Sequence, residues 1–206
     1  MSKLLLASNN PGKLIEIQAL LQDLEVELVT PALLGLELTV EENGQTYAEN
    51  AALKGLAFAR LSGMLTLADD SGLEVDALDG LPGLHSARFS PKPGASDADR
   101  RRYLLERLEG TPPPWPARFR CLIALVTPAG VVRSTEGVCS GEIISQERGQ
   151  NGFGYDPIFL IPQLGRTMAE LSMDEKNQLS HRARAVLAAR PYLADYLRNE
   201  SLTDEG

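Results

Sequence analysis

The opening of the chain constrains its fold more than any other part of the sequence. Residues 4–7 are apolar, and the polar, turn-forming run Ser8-Asn9-Asn10-Pro11-Gly12 follows directly. Apolar residues then recur at helical spacing from Leu14 to Leu24. A strand, a polar loop and a helix in this order are typical of the start of an α/β unit.

Later segments extend this pattern. We predict strands at 25–30 and 64–68 and hairpin strands at 118–127 and 131–139. Helices are predicted over 46–61, from Ser96 to about Leu108, and from Ser172 onwards. Ser180 is a candidate cap for a further helix that stops before Pro191. Residues 79–94 are expected to be mostly loop. The prolines between Pro112 and Pro116 are expected to interrupt regular secondary structure around Trp115. The sequence therefore predicts one α/β domain over residues 1–206, with a mixed sheet, two lobes and a frayed acidic tail at about 199–206.

Charge and composition exclude several classes of protein. The formal net charge of −8 argues against a nucleic-acid partner, which normally meets a basic surface. Cys121 and Cys139 lack the spacing of a zinc site or a disulfide framework. No stretch reaches the about 18 apolar residues of a membrane span, so we expect a cytoplasmic protein without a membrane partner.

The loop from Ser8 to Lys13 is a candidate phosphate site. Amide groups at the start of a helix attract anions, and Lys13 adds a positive charge. The loop is not a Walker A motif, because Leu14 follows Lys13 and the first glycine is missing. The same residues also fit a plain helix cap with a nearby lysine.

Two acidic pairs are candidate ligands for Mg²⁺. Glu41-Glu42 lies in a predicted loop, and Asp69-Asp70 follows a strongly apolar predicted strand. Ligands of α/β sheets sit at strand ends, and Mg²⁺ prefers oxygen ligands. Either pair could equally be a solvated turn.

Two further segments carry groups suited to a nucleotide. Gly152-Phe153-Gly154-Tyr155-Asp156 has glycines around aromatic rings that can stack on a base. Lys176, His181 and Arg182 offer donors for phosphate or carbonyl oxygens. Taken with the acidic pairs and Lys13, this is the set of groups that a nucleotide phosphohydrolase needs.

The order of these motifs resembles one family. They are Ser8–Lys13, Thr46–Lys54 (TYAENAALK), Ala68–Val75 (ADDSGLEV), Pro82-Gly83 with Ser86-Ala87-Arg88, Gly152–Phe159 (GFGYDPIF) and Ser180-His181-Arg182. The chain resembles the inosine/xanthosine triphosphate pyrophosphatase family from about residue 3 to residue 190. His85 stands where many members have tyrosine, and we assign it no role.

The resemblance implies a long mixed β-sheet with flanking helices, two lobes that enclose a central substrate cleft, and a homodimer. It implies Mg²⁺-dependent hydrolysis of ITP, dITP and XTP to monophosphate and pyrophosphate. Asp70 would be the general base, with Lys54 near the phosphates and Glu41 and Asp70 as metal ligands. The residues implied to contact the nucleotide are Ser8, Asn9, Asn10, Pro11, Gly12, Lys13, Ser71, Phe153, Gly154, Tyr155, Asp156, Lys176, His181 and Arg182.

Two other functions fit parts of this pattern. A pyrophosphatase for pyrimidine or standard purine triphosphates would use the same groups, and a nucleotide-binding regulator would keep the binding residues without the chemistry. The presence of Asp70, Glu41 and Lys13 argues against the regulator. For the aberrant purines, we expect donors on His181 and Arg182 to read the oxygen at position six of the base.

Overall fold

The structure, a computed structural model, describes residues 2–203. The helices are α1 (Pro11–Leu20), α2 (Tyr47–Ser62), α3 (Asp97–Leu108), α4 (Met173–Leu179) and α5 (His181–Thr203). The strands are β1 (Ser2–Leu6), β2 (Val26–Val29), β3 (Thr66–Val75), β4 (Trp115–Val126), β5 (Val132–Ile143), β6 (Phe159–Ile161) and β7 (Arg166–Thr167).

The seven strands form a mixed sheet in the order β2-β1-β3-β4-β5-β6-β7. β1 runs parallel to both β2 and β3, while β6 runs antiparallel to β5 and β7. The parallel part belongs to the strand–loop–helix opening, because parallel neighbours need a long crossover connection such as α1. The predicted α/β class with a mixed sheet is confirmed.

The chain forms two compact units. The first comprises the described residues up to Asp70, then Cys121–Gly137, and those from Arg182 onwards. Its core has helices on both faces of the sheet, because successive residues of a strand point to opposite sides. Leu4 and Leu6 of β1 pack with Ile17 of α1 and Val186 of α5, whereas Leu5 packs with Phe58 of α2.

The second unit comprises Ser71–Arg120 and Val138–His181. Its core gathers Leu73 of β3, Leu104 of α3 and Phe159 of β6, all fully buried. Phe119 lies against Phe159 with 4.4 Å between ring centroids. This contact adds to the core of the second unit, since each aromatic ring buries a large apolar area.

The prediction that Asp69-Asp70 ends a strand is wrong. β3 continues through both residues to Val75, whereas its partner β1 ends at Leu6 and pairs with β3 only as far as Leu67. The acidic pair therefore lies inside β3 but beyond the end of β1. An unbroken strand also means that the two carboxylates point to opposite faces of the sheet.

The predicted stop of the last helix before Pro191 is also wrong. Proline removes one hydrogen bond from a helix, yet α5 continues to Thr203. Ala189 before the proline and Leu193 after it are both buried in the first unit's core, and this packing holds the helix together. The tail at 199–203 is therefore helical in its backbone, while 204–206 lie outside the described residues.

The other boundaries need smaller corrections. The predicted break around Trp115 is instead the start of β4, and both hairpin strands are longer than expected. Residues 83–88 of the predicted loop form a short 3-10 helix. Within the described part of the chain, no helix is both long enough and apolar enough to cross a membrane.

Candidate functional site

The polar loop after β1 folds as a capped start of α1. The side-chain oxygen of Asn10 accepts hydrogen bonds from the backbone amides of Gly12 at 2.9 Å and Lys13 at 3.3 Å. Pro11 follows in the first turn, where its missing N–H costs nothing. Because Asn10 already uses these two amides, any anion affinity of the loop rests mainly on the Lys13 side chain.

Asp69 lies in a buried network of charges. Lys13 Nζ is 2.9 Å from Asp69 Oδ2, and Arg182 Nε is 3.5 Å from the same oxygen. Arg182 also forms an ion pair with Glu16 of α1. The two negative charges of Asp69 and Glu16 are matched by the two positive charges of Lys13 and Arg182. Buried charges are tolerated when they are paired in this way.

The network keeps Asp69 ionised. Burial alone would raise the pKa of Asp69, but the charges of Lys13, Arg182 and Lys54 more than offset it and hold the pKa well below its usual value. Burial lowers the pKa of Arg182, but the carboxylates of Glu16 and Asp69 raise it by more, so the net shift is upward. A carboxylate with such a low pKa is a poor proton acceptor near neutral pH.

Asp70 faces α2 on the other side of the sheet. The side-chain amide of Asn50 donates to Asp70 Oδ2 at 3.2 Å. One turn further along α2, Lys54 Nζ lies 2.5 Å from Glu42 Oε1. The structure thus gathers a carboxylate from β3, an acid from the loop before α2, and an amide and an ammonium group from α2.

The electrostatics of Asp70 differ from those of its neighbour. Burial raises the pKa of Asp70, Lys54 lowers it, and Glu42 raises it further, so the net shift is upward. For Lys54, burial lowers the pKa, but Asp69, Glu42 and Asp70 together raise it. Lys54 therefore stays charged, and Asp70 is the better proton acceptor of the acidic pair.

The residues at Asp70 fit a magnesium ion with few protein ligands. Among the residues that the structure describes, no group of three or more His, Cys, Asp or Glu side chains is placed to hold a metal. Mg²⁺ commonly uses only one or two carboxylates together with phosphate oxygens and waters. Glu41 is exposed in the loop before α2, whereas the charge of the adjacent Glu42 raises the pKa of Asp70.

In the second unit, the glycine-rich segment forms a tight turn around Asp156. Asp156 Oδ2 lies 2.9 Å from Lys176 Nζ and accepts the Phe153 amide at 3.1 Å. Gly152 has φ +76°, and a Cβ there would lie 2.0 Å from Asp156 Oδ2 and 2.8 Å from Lys176 Nζ. The turn therefore requires glycine, and the buried Asp156–Lys176 pair holds it in shape.

The rings of this unit have different exposure. Phe153 is half-buried, whereas Tyr155 is buried and donates its hydroxyl to the Ser86 carbonyl at 2.9 Å. Burial raises the pKa of Tyr155, so the hydroxyl remains a neutral donor. His181 is buried and stacks on Phe119, with 4.7 Å between centroids and 15° between planes. Phe153 is thus the ring best placed to meet a ligand.

The predicted residues fall into two groups, one in each unit. The first unit contains Ser8, Asn9, Asn10, Pro11, Gly12, Lys13, Glu41, Lys54, Asp70 and Arg182. The second contains Ser71, Phe153, Gly154, Tyr155, Asp156, Lys176 and His181. Ser71 is half-buried in β3, and the Gly154 amide donates to Asp97 Oδ2 at 2.7 Å.

Sequence reasoning assigned no role to two residues that the structure places at this site. Glu16 pairs with Arg182, and Asn50 donates to Asp70. Asn50 gave a signal, because its spacing puts it on the same face of α2 as Lys54. Glu16 gave none, because its burial depends on the ion pair with the distant Arg182.

The short helix that carries Lys176 is fixed at its start by an ion pair. Arg166 Nη1 and Nη2 lie 2.6 and 3.0 Å from the two carboxylate oxygens of Glu175. Glu175 also accepts the Ser172 amide at 2.8 Å, which confirms the predicted capping box. The hydrogen bond from Arg166, and after it that from Ser172, lower the pKa of Glu175 from 4.5 to about 2.

We expect Glu175→Gln to lower the melting temperature at pH 7 and to lose this effect in acid. A carboxylate whose pKa is depressed by folding contributes stability above its unfolded value of 4.5, and loses it as the pH falls towards about 2. The measurement is the difference in melting temperature between wild type and variant from pH 7 down to pH 3. A difference that does not shrink below pH 4.5 would contradict the assignment.

A mixed α/β sheet with two carboxylates on β3, and with lysines from α1 and α2 close to them, defines the class: an enzyme of nucleotide phosphate chemistry. The model of the Ham1 family matches residues 4–192. The chain belongs to the Ham1 family, which confirms the family resemblance.

Relatives and solved structures support this membership. A dITP/XTP pyrophosphatase of Desulforamulus reducens is 46% identical over 192 residues, 93% of this chain and 95% of that protein. One of Synechocystis is 46% identical over 90% of this chain and 92% of the relative. The structure of a HAM1 protein from Coxiella burnetii superposes with a TM-score of 0.85 at 41% identity, covering 95% of this chain and 100% of that one.

Proposed function

We propose that the protein hydrolyses the aberrant purine triphosphates ITP, dITP and XTP to nucleoside monophosphate and pyrophosphate, and so keeps them out of DNA and RNA. The observation that carries the proposal is the unequal acidic pair of β3. Asp69 forms buried ion pairs with Lys13 and Arg182, whereas Asp70 faces Asn50 and lies near Lys54. The relatives named dITP/XTP pyrophosphatases support the choice of substrate.

Different side chains of the first unit are proposed to bind the phosphates and to accept the proton. Lys13 and Lys54 offset the charge of the triphosphate, which would otherwise repel the incoming water. Water attacks the α-phosphorus, the bond from that phosphorus to the bridging oxygen breaks, and pyrophosphate leaves with the electron pair. Asp70 accepts the proton of the attacking water, the role for which its pKa suits it better than Asp69.

Asp70 and a glutamate of the acidic loop, Glu41 or Glu42, would hold Mg²⁺. When bound, the ion supplies charge that stabilises the transferring phosphoryl group. Two carboxylates near each other favour this assignment, because Glu42 raises the pKa of Asp70 and a divalent cation between acids relieves that repulsion.

We assign the nucleoside contacts to residues of the second unit and to the start of α5. Phe153 is the proposed stacking ring, since Tyr155 is buried and its hydroxyl is bonded to the Ser86 carbonyl. Asp156 and Lys176 are proposed to shape the turn that carries Phe153. Ser71, Gly154, His181 and Arg182 keep their predicted role as nucleotide contacts.

The proposal is tested by product analysis. ITP with Mg²⁺ is expected to give inosine monophosphate and pyrophosphate as first products, with turnover of ATP and pyrimidine triphosphates much slower. The products are separated by anion-exchange chromatography, and pyrophosphate is detected with a coupled assay. Inosine diphosphate and orthophosphate as first products would refute the cleavage position, and equal rates with all triphosphates would refute the substrate class.

A homodimer and a cytoplasmic location, with neither nucleic acid nor membrane as partner, complete the proposal. The family resemblance supports the homodimer, and the negative net charge of −8 argues against a nucleic-acid partner. Light scattering on the purified protein tests the dimer.

A further inference from the structure

We propose that Asn50 is a positioning residue that holds the Asp70 carboxylate and the acidic loop, residues 41–45, in a fixed relation. The inference rests on the proposed function, in which Asp70 and a glutamate of this loop hold the cation. Asn50 lies on α2 and is 2% exposed. A polar side chain buried to this degree needs hydrogen-bond partners, and its partners define what it does.

Both ends of the Asn50 amide are used. Its Nδ2 donates to Asp70 Oδ2 at 3.2 Å, and its Oδ1 accepts the backbone amide of Gly44 at 2.8 Å. The partners fix the orientation of the amide, because the Gly44 N–H requires an oxygen and the carboxylate requires a donor. One side chain therefore links β3 to the acidic loop.

The loop backbone packs closely onto α2 at this point. A Cβ on Gly44 would lie 2.8 Å from Asn50 Oδ1 and 2.7 Å from Glu49 Cβ. The loop has two further contacts with α2: the Gln45 amide donates to the Glu49 carboxylate at 2.6 Å, and Glu42 pairs with Lys54. Asn50 is distinct among these three anchors because it also donates to Asp70.

This arrangement has a consequence for metal binding. A donor on Oδ2 fixes the rotation of the Asp70 carboxylate, and the bond to Gly44 fixes the loop that carries Glu41 and Glu42. A cation then finds its ligands already oriented and does not have to order them. Groups that orient a metal-binding carboxylate typically change metal affinity or activity about 10- to 100-fold when they are removed.

Two variants separate the two halves of this role. Asn50→Asp keeps an oxygen for the Gly44 amide but sets an oxygen against Asp70 Oδ2, whereas Asn50→Ala removes both contacts. Asn50→Ala is expected to raise the Mg²⁺ concentration for half-maximal ITP hydrolysis about 10- to 100-fold, with a smaller change in the KM for ITP. Mn²⁺ binding to this variant, followed by electron paramagnetic resonance, should weaken by a similar factor. Asn50→Asp keeps the loop in place and adds a carboxylate beside Asp70, so its Mg²⁺ requirement is expected to stay below that of Asn50→Ala.

Hydrogen exchange of the peptide that contains Gly44 is the readout independent of activity. Exchange is expected to stay slow in Asn50→Asp and to become fast in Asn50→Ala. Glu49→Ala is the matched control, because it removes the loop contact at Gln45 and leaves both hydrogen bonds of Asn50 in place. The control is expected to change the Mg²⁺ requirement much less than Asn50→Ala does.

A swap of the two groups tests the contact itself. In Asn50→Asp with Asp70→Asn, a donor and an acceptor face each other again with reversed polarity, so the melting temperature is expected to recover relative to Asn50→Asp alone. The inference is overturned if Asn50→Ala raises the Mg²⁺ requirement no more than Glu49→Ala does, or if the swap restores no stability. A wild type that hydrolyses no triphosphate defeats the proposed function instead, while the exchange and Mn²⁺ measurements still test Asn50.

Discussion

Asp70→Asn is expected to lower kcat for ITP hydrolysis by at least about 100-fold, within the range of about 10² to 10⁴ that a general base contributes. The variant keeps the shape of the side chain but loses its ability to take the proton of the attacking water. It also loses a charged ligand for the proposed cation. The measurement is steady-state release of pyrophosphate at saturating Mg²⁺ and ITP.

The control for this experiment is Asp76→Asn. Asp76 is an exposed acid that pairs with Arg118 on the surface and has no part in the proposed chemistry. It is expected to leave kcat near the wild-type value. Near-normal turnover of Asp70→Asn, with a normal circular dichroism spectrum, would show that the base has been assigned to the wrong residue.

Arg182→Met is expected to destabilise the protein by about 3–5 kcal/mol, the cost of removing one partner from a buried ion pair. The guanidinium group is 3% exposed and pairs with both Glu16 and Asp69. Its loss would leave the buried carboxylates of Glu16 and Asp69 without the positive charge of Arg182. Water cannot replace that charge, because the surroundings are apolar. Urea unfolding followed by circular dichroism gives the free energy of unfolding directly.

Arg190→Met is the matched control on the same helix. Arg190 pairs with Asp23 at the surface, where water screens the interaction, so a much smaller loss is expected. An Arg182 variant no less stable than the Arg190 variant would contradict the structural role. This result also bears on base recognition: if Arg182→Met unfolds the site, its activity says little about the base, and His181→Ala is the more informative variant.

The sequence predicted those parts of the fold that depend on local patterns. The apolar run of β1, the turn-forming residues after it and the helical spacing of α1 lie within about 20 positions of one another, so their structure follows from short-range preferences. The capping box at Ser172 and Glu175 was predictable for the same reason. The course of β3 was not, because a strand that carries two acids continues only where partners from elsewhere neutralise or bind them.

The contacts of the candidate site could not be predicted from local sequence patterns. Arg182 and Glu16 are 166 positions apart, and Asn50 and Asp70 are 20 apart. Nothing in the residue types distinguishes Asp69 from Asp70, or Glu41 from Glu42. Only the packing of α1, α2 and α5 on the two faces of the sheet decides which acid is neutralised and which is left for chemistry.

The unbroken course of β3 makes the length of this strand as important as its composition. Deleting one residue just before Ala68 would turn every later side chain to the other face of the sheet. Asp70 would then meet Lys13 and Arg182, and Ser71 would take the place beside Asn50. An insertion of one residue at the same point would leave Lys13 and Arg182 facing Ala68. Insertions and deletions in this chain are therefore expected to be tolerated in loops away from the candidate site, and to abolish both folding and turnover when they fall within β3.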